Sequence, residues 1–435
     1  MPNPSNTNSV DSTEPVGLGQ PVAVAEPAAL EQAKESAGAP AYFFPGLNQV
    51  RMLAAFAVII YHIERNKSLF GIDFNLFALH SIKCLGTEGV RLFFVLSGFL
   101  ISFLLIQEIK KNKTIAIKKF YMRRMLRIWP LYYLVVLNAF FLFPLVFHPA
   151  AGTYVADLAG QLHHNFFEKL GLFVFFLPNL CLIKYPAVPT AGQCWSLGVE
   201  EQFYLIWPFL LCLFRRTIPL GILALLTLKP ALLWCFDGIL FRQQWTGNFA
   251  LHKQLEAVNQ LISNFDVESF AAGATVAWLM AKNPEWTRKF ALNPLTLALC
   301  AAGIGAAFAF DFPGRDRVIT AAFALFVLAM AQKPFKLGFM QKPVDYLGLI
   351  SYGLYMLHPL AVLTVIHSAR ALHLTDPITG NLLIYGLVIT LTIGLAALSY
   401  QFFEKPFLRI KEKFATIKTA TTELKPASLR RSGGR

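Results

Sequence analysis

Long runs of apolar residues recur along most of the chain, and short polar or basic segments separate them. Residues 128–147, 290–310 and 381–403 carry no Asp, Glu, Lys or Arg. A helix rises 1.5 Å per residue, so about 20 such residues cross about 30 Å of hydrocarbon with every backbone hydrogen bond satisfied. The pattern predicts an all-α, polytopic membrane bundle of about ten transmembrane helices. The spans are expected near residues 47–64, 89–108, 126–148, 198–214, 217–236, 261–281, 290–310, 317–332, 346–368 and 381–404.

The composition supports a membrane protein. The 435 residues are 55% hydrophobic and 15% charged, which is too apolar for a soluble protein of two or three domains. The formal net charge of +14 comes from basic residues that bunch between the apolar runs and in the C-terminal tail. Such bunching is typical of membrane topology and not of a nucleic-acid-binding face. We therefore expect a lipid bilayer as partner and no nucleic acid.

A basic segment sets the predicted orientation. Residues 110–127 carry eight Lys and Arg residues, and short loops rich in these residues stay in the cytoplasm. Alternation from this segment predicts a multi-pass protein of the inner (cytoplasmic) membrane with both termini cytoplasmic. The apolar stretch 169–183 leaves an alternative open, because a full crossing there would place Arg215 and Arg216 outside.

The same patterns divide the chain into three segments. Residues 1–45 are rich in Pro, Ala, Ser, Asn and Glu and lack the features of a signal peptide, so they are predicted to be a disordered cytoplasmic tail. Residues 46–407 hold the apolar runs and form the predicted transmembrane domain. Residues 408–435 form a predicted basic cytoplasmic tail.

Arg51 and His62 stand eleven positions apart in the first predicted span. At about 100° per residue this spacing comes within about 20° of three full turns, and the axial separation is about 16 Å. Both side chains are therefore expected on one stripe of the helix, which suits an extended cofactor with an anionic head and a reactive far end. The alternative is that Arg51 is a positive-inside flank and His62 an interfacial polar residue.

A second candidate is the pair Glu200 and Glu201, at the start of an otherwise apolar helix. Carboxylates in a membrane span are costly and usually functional. Neighbouring helical residues point about 100° apart, so one carboxylate is expected to orient a catalytic imidazole while the other binds an Arg or caps the helix. The alternative is a pair of interfacial charges that ends the helix. Trp195 and Tyr204 of the same stretch are candidate substrate-binding residues.

Further polar residues within the apolar pattern carry less specific signals. Arg124 and Arg127, at i and i+3 of one helix, are candidate phosphate ligands, although positive-inside charge also explains bases at this place. Ser97 is expected to serve in helix packing, and His358 is expected to be a hydrogen-bonded core histidine. The six cysteines and the other histidines show no metal-ligand spacing, so no metal is predicted.

Taken in order, these stretches resemble the membrane acyltransferase 3 family, the integral-membrane O-acyltransferases of surface carbohydrates. The resemblance covers about residues 46–407. It rests on Arg51 with His62, on FFVLSGFLI (93–101), on RIWP (127–130), on WSLGVEEQFY (195–204), on ISYGLYMLHP (350–359) and on EKP (404–406).

The resemblance implies an acyl-CoA donor, with acetyl-CoA favoured, a carbohydrate or glycolipid acceptor, and His62 as the essential group. We expect Arg51, Arg124 and Arg127 to bind the nucleotide of coenzyme A, and His62 to act as general base with support from Glu200 or Glu201. Direct transfer and an acyl-histidine intermediate both stay open. The rival hypothesis is a transporter or flippase of a lipid-linked sugar, in which the same intramembrane charges line a substrate or proton path.

Overall fold

The computed structural model describes residues 42, 44, 46–146, 160–243, 249–372 and 376–417. Within these residues the regular elements are helices, which confirms the predicted all-α class. Most of the predicted N-terminal tail and residues 418–435 of the predicted C-terminal tail lie outside the described residues.

The principal helices are numbered here in chain order. They are α1 Leu47–Leu69, α2 His80–Asn112, α3 Ile117–Leu137, α4 Phe166–Val174, α5 Pro178–Lys184, α6 Cys194–Leu213, α7 Ile218–Gln243, α8 Phe249–Ser263, α9 Val267–Lys282, α10 Pro284–Ala291, α11 Pro294–Ala309, α12 Arg315–Gln332, α13 Gln341–Leu349, α14 Ser351–Ala371, α15 Pro377–Leu398 and α16 Lys405–Glu412.

Several of these helices are long and apolar enough to span a bilayer. Within the described residues four helices qualify by themselves. The number rises to six if each of two bent pairs forms one span. One pair is α10 and α11, bent by 61°; the other is Gly338–Leu349, which includes α13, and α14, bent by 75°. Every predicted span overlaps at least one helix. The number of about ten crossings stays a prediction.

The stretch 169–183, whose crossing was left open, forms α4 and α5. These helices contain nine and seven residues, so at 1.5 Å per residue each is only about 10 to 14 Å long. Neither is long enough to cross a bilayer alone. Glu168 accepts hydrogen bonds from Lys184 and Tyr185, which tie the two helices together and lower the pKa of the Glu168 carboxyl.

α2 is the central helix of the bundle and packs against α1, α9 and α12. Its contact with α9 is a close approach of two backbones, because a Cβ on Gly98 would lie 2.8 Å from the Cα of Phe270, and a Cβ on Gly273 would lie 2.6 Å from the backbone nitrogen of Phe99. Small residues permit such contacts between membrane helices. Gly98 and Gly273 therefore allow α2 and α9 to pack closely, and α2 forms a rigid wall behind the candidate site.

A cluster of charges joins α2 to the starts of α9 and α12. The Arg91 guanidinium lies 2.8 Å from Glu88, 3.0 Å from Asp316 and 3.6 Å from Asp266. Asp266 also caps α9 by accepting a hydrogen bond from the Ser269 backbone. Asp266 therefore serves the fold, as the cap of α9 and as a partner of Arg91.

The end of the described chain returns to the bundle. α15 continues through a π-helical turn, Ser399–Glu404, into α16, which packs against α3. The expected boundary between residues 407 and 408 falls inside α16. Residues 413–417 follow it, and two of them contact α2 and α3 through side-chain hydrogen bonds.

Candidate active site

Four basic side chains line one cavity of about 220 Å³, here called the basic cavity. Arg51 projects from the first turns of α1, Arg124 and Arg127 from α3, and Lys411 from α16. Arg124 and Arg127 share a face because residues three apart on a helix are neighbours. Arg51 stands 73 positions before Arg124 in the sequence. The fold therefore brings the three arginines that were expected to bind one ligand together from two separate helices.

A hydrogen-bonded carboxylate stands inside the basic cavity. Glu200 on α6 accepts hydrogen bonds from the hydroxyls of Ser97 and Tyr204. The guanidinium of Arg124 lies over the Tyr204 ring, 5.6 Å from its centroid, in a cation–π contact. Glu200 is the one carboxylate among the described residues that line this cavity, so the lining carries a clear excess of positive charge.

His62 lines a second cavity of about 270 Å³, here called the histidine cavity. Trp195 contributes an aromatic wall, and Arg65, Thr87 and Gln193 contribute polar groups. One stripe of α1 therefore serves both cavities, with Arg51 in the first and His62 in the second. The spacing of eleven residues had predicted that the two side chains share a stripe.

The neighbour of His62 is a second histidine, His358 on α14. The ring centroids lie 4.9 Å apart, with an angle of 48° between the rings. His358 is fully buried, and its Nδ1–H donates a hydrogen bond of 2.7 Å to the Tyr355 carbonyl oxygen. Its Nε2 has no hydrogen-bond partner among the described residues. This nitrogen is therefore a buried acceptor next to the half-buried imidazole of His62, which lines the histidine cavity.

Two residues, Val90 and Tyr355, line both cavities and so separate them. The Tyr355 hydroxyl donates to the Gln193 carbonyl oxygen at 3.1 Å and lies 2.6 Å from the Ser196 hydroxyl. Ser196 faces the basic cavity, whereas Gln193 faces the histidine cavity. A thin partition held by α6 and α14 thus stands between the cluster of cations and the imidazole.

The adjacent carboxylates of α6 go to different places. Glu200 lines the basic cavity, while Glu201 lies beside Trp129 and lines neither cavity. Within the described residues neither carboxylate contacts His62. The geometry therefore does not show the support of His62 that was expected from these carboxylates. Glu201 points about 100° away from Glu200 around the helix axis, and Glu200 lies on the other side of the partition from His62.

The two candidate substrate-binding residues are also separated. Trp195 lines the histidine cavity and Tyr204 lines the basic cavity. They stand nine positions apart on α6, which spans both cavities. The same helix therefore offers an aromatic side chain to each cavity.

Sequence reasoning missed three side chains of the site. His358 was expected to be a core histidine, and it is buried but adjoins His62. Ser97 was expected only to pack, yet its hydroxyl binds Glu200 inside the basic cavity. Lys411 lies in a segment expected to be a basic cytoplasmic tail. The signal for His358 was its place inside an apolar helix; no local signal distinguished Lys411 from the other bases of the tail.

No group of three or more His, Cys, Asp or Glu side chains able to hold a metal ion occurs in the part of the chain that the structure describes. The six cysteines all lie in that part and are free thiols, four of them buried.

The sequence of the chain is similar to those of known O-acetyltransferases. It is 26% identical over 384 residues to the peptidoglycan O-acetyltransferase OatA of Listeria monocytogenes, covering 84% of this chain and 56% of that protein. It is 25% identical over 410 residues to the O-acetyltransferase OatA of Staphylococcus aureus, covering 84% of this chain and 57% of that protein. The chain thus spans little more than half the length of these relatives. No solved structure matches.

A family model described as an acyltransferase domain matches residues 44–401. This range includes α1 with Arg51 and His62, all of α6, and the partition residues of α2 and α14. Because the match covers most of the chain, the chain belongs to this acyltransferase family.

Proposed function

We propose that this protein is an integral-membrane O-acetyltransferase that moves an acetyl group from acetyl-CoA to a hydroxyl of a carbohydrate acceptor, with His62 as general base. One observation carries the proposal. A cavity rich in cations and a cavity with an imidazole meet at Val90 and Tyr355, and one helix, α1, serves both. Such an arrangement suits a two-substrate transfer in which an extended anionic donor meets a neutral acceptor.

The basic cavity suits the nucleotide end of coenzyme A. Arg51, Arg124 and Arg127 line it, and guanidinium groups bind phosphates through paired hydrogen bonds. Tyr204 offers an aromatic face beside Arg124. The axial distance of about 16 Å between Arg51 and His62 leaves room for the pantetheine arm between the phosphates and the imidazole.

The histidine cavity suits a polyhydroxylated acceptor. Trp195 offers a flat apolar face, and Arg65, Thr87 and Gln193 offer polar groups around it. Pockets of this kind bind a ligand through an apolar wall and a few convergent polar groups. Since two relatives are named O-acetyltransferases, one of them a peptidoglycan O-acetyltransferase, we propose a cell-wall glycan or a related glycolipid as acceptor.

The reaction at His62 is a single acyl transfer. The neutral imidazole takes the proton of the acceptor hydroxyl as its oxygen attacks the thioester carbonyl carbon. The C–S bond then breaks, the acetyl ester forms, and the imidazolium returns the proton to the departing thiolate of coenzyme A. A histidine suits both steps because its ordinary pKa lies near the pH of the reaction.

His358 is the proposed positioning residue for this base. Its Nδ1–H is held by the Tyr355 carbonyl, so its Nε2 is an acceptor beside the His62 ring. An acceptor there selects the tautomer and the orientation of the neighbouring imidazole and stabilises its protonated form. In this proposal His358 takes the role that the α6 carboxylates were expected to fill.

The proposed topology follows from the charges. The basic cavity is lined by Arg124 and Arg127 of the basic segment 110–127 and by Lys411 of α16, so we place it at the cytoplasmic face of the inner membrane with both termini cytoplasmic. The histidine cavity then lies toward the outer face. Residues 46–407 form the acyltransferase domain in this proposal, and acyl donor and acceptor approach from opposite sides.

The test measures release of free coenzyme A thiol from acetyl-CoA by the purified protein in detergent, with and without soluble glycan acceptors. We expect release by the wild type in the presence of acceptor and a loss of about 10²-fold to 10⁴-fold in His62→Ala. The matched control is His164→Ala, since His164 is exposed and lines neither cavity; it should keep wild-type turnover.

The outcome also separates the enzyme from the rival hypothesis. A transporter of a lipid-linked sugar needs no thioester cleavage, so a wild-type protein that consumes no acetyl-CoA with any acceptor would favour transport. Trapping of an acetylated His62 after rapid quench would show that the transfer passes through an acyl-enzyme instead of a direct attack.

A further inference from the structure

The last described segment of the chain forms part of the basic cavity. α16 lies beyond residues 44–401, the region matched by the family model. Its Lys411 nevertheless lines the cavity together with Arg51, Arg124 and Arg127. The cavity therefore holds a cation from a segment that the family resemblance does not explain.

A partly buried network fixes this segment against the bundle. Arg123 donates hydrogen bonds to the Phe414 carbonyl oxygen at 2.8 Å and to the Thr416 hydroxyl at 3.2 Å. The Thr416 hydroxyl donates to Glu108 at 2.8 Å. Glu108 is 1% exposed and lies 3.6 Å from Arg123. These contacts hold the chain just after α16, so the position of Lys411 at the basic cavity is fixed.

Positive charges predominate around Lys411. Arg127, Arg124 and Arg51 all act on it electrostatically, and the carboxylate of Glu412, its neighbour on α16, opposes them. Within the described residues none of these four cations forms an ion pair with a carboxylate, and the Nε of Arg124 is buried without a hydrogen-bond partner. Like charges gathered in a low-dielectric cavity repel one another strongly. A bound polyanion would relieve this repulsion.

We propose that Lys411 is a fourth ligand for the phosphates of the acyl-CoA nucleotide, contributed by α16 from outside the family-matched region. This inference rests on the proposed acyl-CoA donor. An ammonium group is a compact charge with three rotatable donors, which complements the planar guanidiniums of the three arginines. The network of Arg123, Glu108 and Thr416 positions it at the cavity.

The experiment compares Lys411→Gln, Lys411→Arg and Arg409→Gln in the full-length protein. Arg409 is the matched control because it lies on α16, is exposed and does not line the cavity. We expect Lys411→Gln to weaken binding of coenzyme A, measured by calorimetry in detergent, by about tenfold, as for one charge-assisted hydrogen bond. Lys411→Arg should keep most of the affinity and Arg409→Gln all of it.

A truncated donor supplies the second measurement. Acetyl-pantetheine lacks every phosphate, so its kcat/KM should be the same in Lys411→Gln and in the wild type, while the KM for acetyl-CoA rises in the variant. Equal loss with both donors would mean that Lys411 supports the fold and would overturn the inference, as would unchanged affinity for coenzyme A. A wild type that neither binds coenzyme A nor consumes acetyl-CoA would instead overturn the proposed function itself.

Discussion

The rings of His62 and His358 lie 4.9 Å apart, although 296 positions separate them in the sequence. One ring lines a cavity and the other is fully buried with an unpartnered Nε2. The buried ring is fixed by the Tyr355 carbonyl. A rigid acceptor next to an accessible imidazole is the arrangement expected of a base and its positioning residue.

His358→Asn tests this relationship. The Asn amide can replace the Nδ1–H donor to the Tyr355 carbonyl, but it has no group at the Nε2 position. We expect kcat to fall about tenfold or more with little change in KM, because the ground-state contacts of both substrates remain. The measurement is steady-state release of coenzyme A thiol. His358→Gln, whose amide reaches the Nε2 position, should recover part of the loss; equal loss in both variants with intact folding would contradict the positioning role.

Glu200→Gln tests the place of the carboxylate. Glu200 is bound by Ser97 and Tyr204 in the basic cavity, so its removal should leave the midpoint of the pH profile of kcat unchanged. We expect kcat/KM for acetyl-CoA to fall by about fivefold, as charge-assisted hydrogen bonds become neutral ones. The pH profile of His358→Gln, measured in parallel, should shift. A shift with Glu200→Gln instead would restore the carboxylate as the partner of His62.

The local geometry of the site was predictable from helical periodicity. The spacing of Arg51 and His62 predicted a shared stripe, and both do line cavities along α1. The divergence of Glu200 and Glu201 was likewise predicted from the 100° turn between neighbouring residues. These predictions succeeded because they depend on one helix at a time.

Relationships between helices were not predictable in the same way. The partner of His62 was assigned to α6, but the packing of α14 supplies His358 instead. Lys411 was assigned to a basic cytoplasmic tail, and only the contacts of the residues after α16 bring it to the cavity. Periodicity says which face of a helix a residue occupies, and it does not say which other helix meets that face.

Tyr355→Ala tests the partition between the cavities. Loss of the ring should open a path for water from one cavity to the other, so we expect hydrolysis of acetyl-CoA without acceptor to rise severalfold while transfer to acceptor falls. Thiol release with and without acceptor gives the ratio of the two reactions. Tyr355→Phe keeps the ring and loses only the hydrogen bonds to Ser196 and Gln193, so its ratio should stay near that of the wild type. If Tyr355→Ala kept the wild-type ratio of hydrolysis to transfer, the Tyr355 ring would not be what separates the substrates.

Gly98→Ala tests whether the close contact of α2 with α9 supports the site. A Cβ there would meet the backbone of Phe270, which cannot yield as a flexible side chain does. We expect a loss of about 1 to 3 kcal/mol of stability, as for an overpacked core, seen as a lower midpoint of thermal unfolding in detergent. Gly386→Ala on α15 is the matched control, because a Cβ there meets nothing within 4 Å and a helical alanine is favoured over glycine by about 1 kcal/mol. If Gly98→Ala unfolded at the same temperature as the control, α2 and α9 would have room to move apart. In that case α2 would not hold Ser97 and Val90 rigidly in place.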